Sequence, residues 1–126
     1  RGALMARSIR IVSSSNGFAL LMSMILEDAG HHVVVTGLRA PPPAAADLDA
    51  TALLVLDALG DATSAARYLA SMHARSTSPP PVVLLAESDM PDPHRLVVAT
   101  VRGAFTETLL RIADAVVSVS PRVPVR

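Results

Sequence analysis

The residues that could do chemistry stand directly after short apolar runs. Asp57 follows the run 53–56, the polar loop 13–17 follows the run 9–12, and Arg102 follows the run 96–101. A carboxylate can accept a phosphoryl group or bind a cation, and a guanidinium can form a two-pronged ion pair with it. A serine-rich loop before a helix can hold an anion through its backbone amides and hydroxyls. Three chemistries are therefore open: phosphoryl acceptance at Asp57, an Asp57–Arg102 ion pair, and an anion site in the loop 13–17.

Composition excludes several other functions. Eleven basic residues balance eleven acidic ones, so no basic field is available to hold a nucleic acid backbone. The chain has no cysteine, and its four histidines (His31, His32, His73 and His94) have no ligand-like spacing, so we expect no metal site and no cofactor. Its longest apolar runs are far shorter than the roughly 20 residues of a membrane span. These features predict a cytoplasmic, non-enzymatic protein without a membrane or nucleic acid partner.

The polar positions are placed by alternating strands and helices. Residues 9–12 form a short β-rich run, apolar residues then recur at helical spacing from Phe18 to Ala29, and Gly30 stands where a helix ends. Residues 32–36 are β-branched and short enough for a buried parallel strand. His31 and His32 are adjacent, so on a strand their rings would point to opposite faces and could not share a metal, and we expect both at the surface. The first third of the chain therefore predicts a strand–helix–strand unit.

The pattern continues to the end of the chain. Later elements are predicted as a short helix at 44–50, a strand at 53–56 ending in Asp57, a helix at 64–74 capped by Thr63 or Ser64, a strand at 82–86, a strand at 96–101 with a helix as the alternative, and a last helix capped by Thr106. Such alternation gives a parallel sheet covered on both faces. Ligands of such sheets bind at the carboxyl ends of the strands, where Asp57 and Arg102 would lie.

The order of these pieces resembles one family, the CheY-like receiver domains of bacterial two-component response regulators. Residues 24–35 look like that family's first helix and second strand, and residues 53–57 look like the strand that carries its phosphoacceptor aspartate. Residues 81–85 and 102–110 resemble its fourth strand and its last helix. The resemblance implies a flavodoxin-like α/β fold, with five parallel strands and helices on both faces, serving signal transduction.

Residue by residue, the resemblance keeps the aspartate and loses its surroundings. Asp57 stands at the phosphoacceptor position. The other functional positions of the family are occupied here by Ser13 and Ser14 (the acidic pair that holds magnesium), Ala86 (the switch hydroxyl), Ala99 (the switch aromatic) and Arg102 (the lysine). Phosphoryl transfer to a carboxylate brings two anions together, and serine hydroxyls cannot supply the charge of a divalent cation. This pattern predicts a degenerate pseudo-receiver in which Arg102 neutralises Asp57.

The interval from Ala86 to Arg102 is also too short for both the family's fourth helix and its fifth strand. We expect that helix to be shortened or missing and to leave an apolar surface near Met90, Leu96, Val97 and Val98. Such a surface predicts a two-fold homodimer or a protein partner, since monomers seldom expose large apolar patches.

These observations predict a signalling module that acts by protein–protein interaction or self-association. Two alternatives remain open: a phosphorylatable receiver that uses Asp57, and a domain that binds a small anion or nucleotide in the loop 13–17. The predicted organisation is a linker or tag remnant at 1–8, a receiver-like domain at 9–117 and an extended tail at 118–126.

Overall fold

The computed structural model describes residues 8–41, 43–103 and 105–119. Five strands form one sheet: β1 (Ser8–Ser13), β2 (Val33–Gly37), β3 (Thr51–Asp57), β4 (Val82–Leu85) and β5 (Val97–Val101). They lie in the order β2-β1-β3-β4-β5, and every neighbouring pair is parallel. The predicted five-stranded, flavodoxin-like α/β fold is confirmed, and the helical alternative for residues 96–101 is wrong.

Four helices connect the strands: α1 (Asn16–Asp28), α2 (Ala45–Asp49), α3 (Ala62–Arg75) and α4 (Phe105–Val119). Helix α3 begins two residues before the predicted start, because Asp61 caps it by accepting from the backbone N–H of Ser64. Helix α4 begins at Phe105, so Thr106 lies inside its first turn, and the prediction that Thr106 caps this helix is wrong. The same helix continues into the first two residues of the predicted tail. Residues 1–7 and 120–126 lie outside the described part of the chain.

Two apolar cores, one on each face of the sheet, hold the helices in place. Side chains alternate between the faces of a strand, and the middle of β3 and all of β4 are apolar on both faces, whereas β1 also carries Arg10 on the side of α3. Ile11, Val55 and Leu85 face α1 and α4, whereas Val12, Leu56 and Leu84 face the side of α3. No helix among the described residues is both long and apolar enough to cross a membrane.

No helix joins β4 to β5, as the shortness of this interval predicted. Residues 86–96 cross between the two parallel strands as an irregular segment. The carboxylate of Asp92 accepts from the backbone N–H groups of Leu96 and Val97. Arg95, which lies between Asp92 and Leu96 in the chain, adopts a positive φ of 54°. An aspartate therefore organises the turn that leads into β5.

This segment covers most of the apolar surface that the missing helix was expected to expose. Leu96 is 8% exposed, and Met90 and Val97 are half-buried against the core beneath α3. Only Val98, among the four residues predicted to form an open surface, is strongly exposed, at 59%. The prediction that Leu96 is exposed is therefore wrong, because the hydrogen bonds to Asp92 turn the chain so that the Leu96 side chain points inward.

Candidate functional site

The candidate site lies where the central strands β1, β3 and β4 end. Asp57 is the last residue of β3 and pairs in register with Leu85, the last residue of β4, so Ala86 follows directly beside it. Ser13 ends the neighbouring strand β1. The parallel sheet therefore brings Asp57, Ser13 and Ala86 to one edge, as the sequence predicted.

Both carboxylate oxygens of Asp57 are engaged by groups of the protein. The Ser13 hydroxyl donates to Asp57 Oδ2 over 2.7 Å, and the backbone N–H of Leu59 donates to Oδ1 over 3.0 Å. Asp57 is 4% exposed and Ser13 is 3% exposed. The Leu59 bond makes a turn of the kind that strand-end aspartates commonly stabilise. Asp57 is thus built into the fold as a buried acceptor.

Ser13 connects this aspartate to the start of α1. Its oxygen accepts from the backbone N–H of Ser15 over 3.0 Å while its proton goes to Asp57. Ser15 in turn caps α1 by accepting from the N–H of Phe18. Two hydroxyls of the loop 13–17 are therefore used internally.

Arg102 does not pair with Asp57, contrary to the sequence prediction. Its guanidinium donates to Asp89, in the segment between β4 and β5. The side chains of Arg102 and Asp89 are 56% and 82% exposed, so their ion pair contributes about 0–1 kcal/mol. Pairing with buried Asp57 would remove water from the guanidinium, which costs free energy, whereas pairing with exposed Asp89 does not.

The remaining positions carried over from the family provide no polar group to this edge. Ala86 is 3% exposed, and Ala99 packs against the core under α1 and α4, opposite Val83. Ser14 is exposed, and its hydroxyl lies beside Gly60, where an added Cβ would stand 3.6 Å from it. Ser14 does not contact Asp57 among the described hydrogen bonds.

A cavity of about 240 Å³ lies next to Asp57, between the turn after β3 and the segment after β4. Its acidic lining residues are Asp61 and Glu87. Asp61 is already engaged: Arg39 donates to it over 2.8 Å and Ser64 donates from both its hydroxyl and its N–H, which together lower the pKa of Asp61 to about 2. Within the described ranges, no three His, Asp or Glu side chains form a group that could hold a metal ion.

Two histidine contacts were missed by sequence reasoning. His31 precedes β2 and lies 2.8 Å from the carboxylate of Asp114 in α4, with its side chain only 10% exposed, so it is not a free surface residue. The rings of His73 and His94 stack at a centroid distance of 3.5 Å and an angle of 2°. Neither pair has a local sequence signal, because the partners lie on elements far apart in the chain.

Comparison with known proteins gives a fold and no closer relationship. No family model and no curated protein matches the sequence. Among solved structures, a response regulator receiver domain protein from Bacillus halodurans is 17% identical with a TM-score of 0.65, and covers 89% of this chain and 97% of its own. The chemotaxis protein CheY4 from Vibrio cholerae is 18% identical with a TM-score of 0.64, and covers 89% of this chain and 99% of its own.

A CheY-like receiver domain from Methylobacillus flagellatus is similar to the same extent, with 14% identity, a TM-score of 0.64, and coverage of 89% of this chain and 99% of its own. At such identities the likeness establishes the fold alone. The chain therefore has the fold of receiver domains.

Proposed function

We propose that this protein is a pseudo-receiver: a signalling module that works through contacts with protein and not through magnesium-dependent phosphorylation of Asp57. The observation that carries the proposal is the double engagement of Asp57 by Ser13 and Leu59. A phosphoryl acceptor must turn a lone pair of one carboxylate oxygen toward the incoming phosphorus, which weakens the hydrogen bonds that hold the carboxylate in place. Here each oxygen holds a hydrogen bond, and a hydrogen bond to a charged group contributes about 1.5–3 kcal/mol.

The charge around Asp57 supports the same proposal. Phosphoryl transfer between anions relies on cationic groups that neutralise the developing charge. At this edge the nearest partner of Asp57 is a neutral hydroxyl, and the one arginine that the family resemblance placed there is bound to Asp89. A magnesium ion would need carboxylate ligands that Ser13 and Ser14 cannot provide.

The readout of phosphorylation is also absent from the carried-over positions. A modification shifts a conformational equilibrium only through contacts that differ between the two states. Ala86 has no hydroxyl to follow a phosphoryl group, and Ala99 has no ring to move. With neither chemistry nor readout supported, docking of a protein partner or self-association is the function that the geometry favours.

The test is to supply what the site lacks. Wild-type protein and a Ser13→Asp, Ser14→Asp double variant are incubated with magnesium and a small-molecule phosphodonor, and the intact proteins are weighed. We expect no phosphoryl adduct on the wild type and a magnesium-dependent adduct on the double variant. Adding Asp57→Asn to the double variant is the matched control and should remove the adduct.

A stoichiometric, magnesium-dependent adduct on wild-type Asp57 would overturn the proposal in favour of a phosphorylatable receiver. An unmodified double variant would contradict the view that the missing acidic pair is the main defect. Thermal denaturation of the double variant shows whether it folds, because two additional carboxylates next to Asp57 repel one another in the absence of a cation.

A further inference from the structure

Helix α1 carries three of the large apolar side chains that the described residues expose. Leu20, Leu21 and Met24 are 58%, 52% and 65% exposed, while Ala19, Met22 and Leu26 on the opposite side are buried in the core. A helix that is apolar around most of its circumference is usually covered on all sides. One side of α1 is not covered by this chain's described residues.

The exposed side has the spacing of a helix-pairing seam. Gly17, Leu21, Met24 and Asp28 are separated by steps of four, three and four residues, which is the a/d spacing of a coiled coil, and Leu20 flanks the seam. All four seam residues are exposed. Steps of four, three and four read the same in both directions, so an antiparallel copy of the helix presents the same pattern. Leu21 would then face Met24 of the copy, and Gly17 would face its Asp28.

The charges on α1 favour that antiparallel arrangement. Glu27 and Asp28 stand at the carboxyl end of the helix, where the partial charge of the helix is negative, and its first turn has no acidic residue. Acidic groups are stabilised at a helix amino end and destabilised at a carboxyl end. An antiparallel partner places its Asp28 beside the amino end of α1, where Gly17 has no side chain and nothing within 4 Å of an added Cβ.

We infer that the exposed side of α1 is a two-fold interface between two copies of this chain, with the helices antiparallel and centred between Leu21 and Met24. The inference supplies the protein contact of the proposed function and rests on it to that extent. Three exposed apolar side chains make a small patch, and a stable complex usually buries roughly 800 Å² per partner. We therefore expect a weak dimer, with a Kd between about 10 μM and 1 mM.

Sedimentation equilibrium over a concentration series up to about 1 mM tests the inference. The wild type should be a reversible dimer. Met24→Asp places a carboxylate against Leu21 of the partner and should leave a monomer at every concentration. The matched control is Val98→Asp, at another exposed apolar residue on β5, which should dimerise like the wild type.

A second variant separates pairing from folding. Asp28→Lys replaces an acid at the carboxyl end of α1 by a base, so the monomer should melt no lower than the wild type, while the dimer Kd should rise at least tenfold. A monomeric wild type, a dimer unaffected by Met24→Asp and Asp28→Lys, or a dimer lost in Val98→Asp would each overturn the inference. The proposed function fails if wild-type Asp57 gains a phosphoryl adduct, whereas this inference fails on the oligomeric state alone. The two failures are therefore distinguishable.

Discussion

At the scale of single residues, the central feature is an aspartate held by its neighbours. Asp57 is buried at the end of β3 with its oxygens on the Ser13 hydroxyl and the Leu59 N–H. Burying a carboxylate is unfavourable unless it is hydrogen-bonded, so these two donors are what makes the position tolerable. The same two bonds give this aspartate a structural role at the end of β3.

A double-mutant cycle measures this role. Ser13→Ala removes the hydroxyl donor and should lower the free energy of unfolding by about 1.5–3 kcal/mol. Combined with Asp57→Ala it should cost less than the sum of the two single changes, with a coupling energy of about 0.5–3 kcal/mol. Arg102→Met is the control: with Asp57→Ala it should be additive to within about 0.5 kcal/mol, because Arg102 pairs with Asp89. Urea denaturation of the single and double variants gives all of these values.

At the scale of elements, the start of α3 depends on Asp61. This residue caps the helix through Ser64 and binds Arg39 across the adjacent loop, so it fixes the beginning of α3 relative to the end of β2. The Arg39 guanidinium, the Ser64 hydroxyl and the Ser64 backbone N–H, in that order of effect, all favour the ionised form of Asp61. Together they account for the lowered pKa of Asp61.

The lowered pKa predicts a dependence of stability on pH. The pKa of Asp61 falls from 3.8 to about 2 on folding, so the unfolded chain binds the proton more readily. The stabilisation is complete above about pH 4 and is lost as the pH falls toward 2. Thermal denaturation of the wild type and of Asp61→Asn should therefore show a gap in melting temperature at pH 6 that narrows at pH 2. Parallel curves across this range would contradict the assignment.

At the scale of the whole molecule, the fold is a sheet with two unequal sides. The face of α1 and α4 is covered by two long helices, whereas the other face is covered by α3, the short α2 and the irregular segment that replaces a helix between β4 and β5. Strand β5 is the last in the sheet order and therefore lies at an edge, with Val98 exposed. The central strands β1, β3 and β4 are buried from both sides.

This asymmetry predicts the order of hydrogen exchange. Amides of β1, β3 and β4 should exchange slowest, through global unfolding, and those of residues 87–91 fastest, because that segment is mostly exposed. Amides of the edge strand β5 should be intermediate. Exchange followed by mass spectrometry with peptide resolution measures this order. Protection of residues 87–91 equal to that of β3 would show that another element covers the segment.

Sequence reasoning predicted what depends on local pattern. The apolar runs gave the strands, and the position of Asp57 after one of them placed it correctly at the end of β3. It did not predict which side chain meets Asp57. The contact of Asp57 with Ser13 depends on the pairing of β1 with β3. The path of the segment after β4 in turn brings Asp89, and not Asp57, to Arg102.

The errors in burial and capping have the same origin. Leu96 is buried because hydrogen bonds from Leu96 and Val97 to Asp92 turn the chain inward, and no periodic pattern records such a turn. Helix α3 begins earlier than the apolar spacing indicates, because Asp61 caps it with a single side chain and capping does not depend on a periodic pattern of apolar residues. The stacking of His73 on His94, which lie on distant elements, has no signal in the sequence around either residue.

The most direct test of the central claim is to ask whether Asp57 responds to a phosphoryl group at all. Backbone amide NMR spectra of the ¹⁵N-labelled wild type are recorded with magnesium alone and with magnesium plus beryllofluoride, a phosphoryl mimic. The Leu59 amide, which donates to Asp57 Oδ1, and the neighbouring Ala86 amide are the reporters. Neither signal should move when beryllofluoride is added. Saturable shifts centred on Leu59 and Ala86 would contradict the central claim and establish a working receiver site.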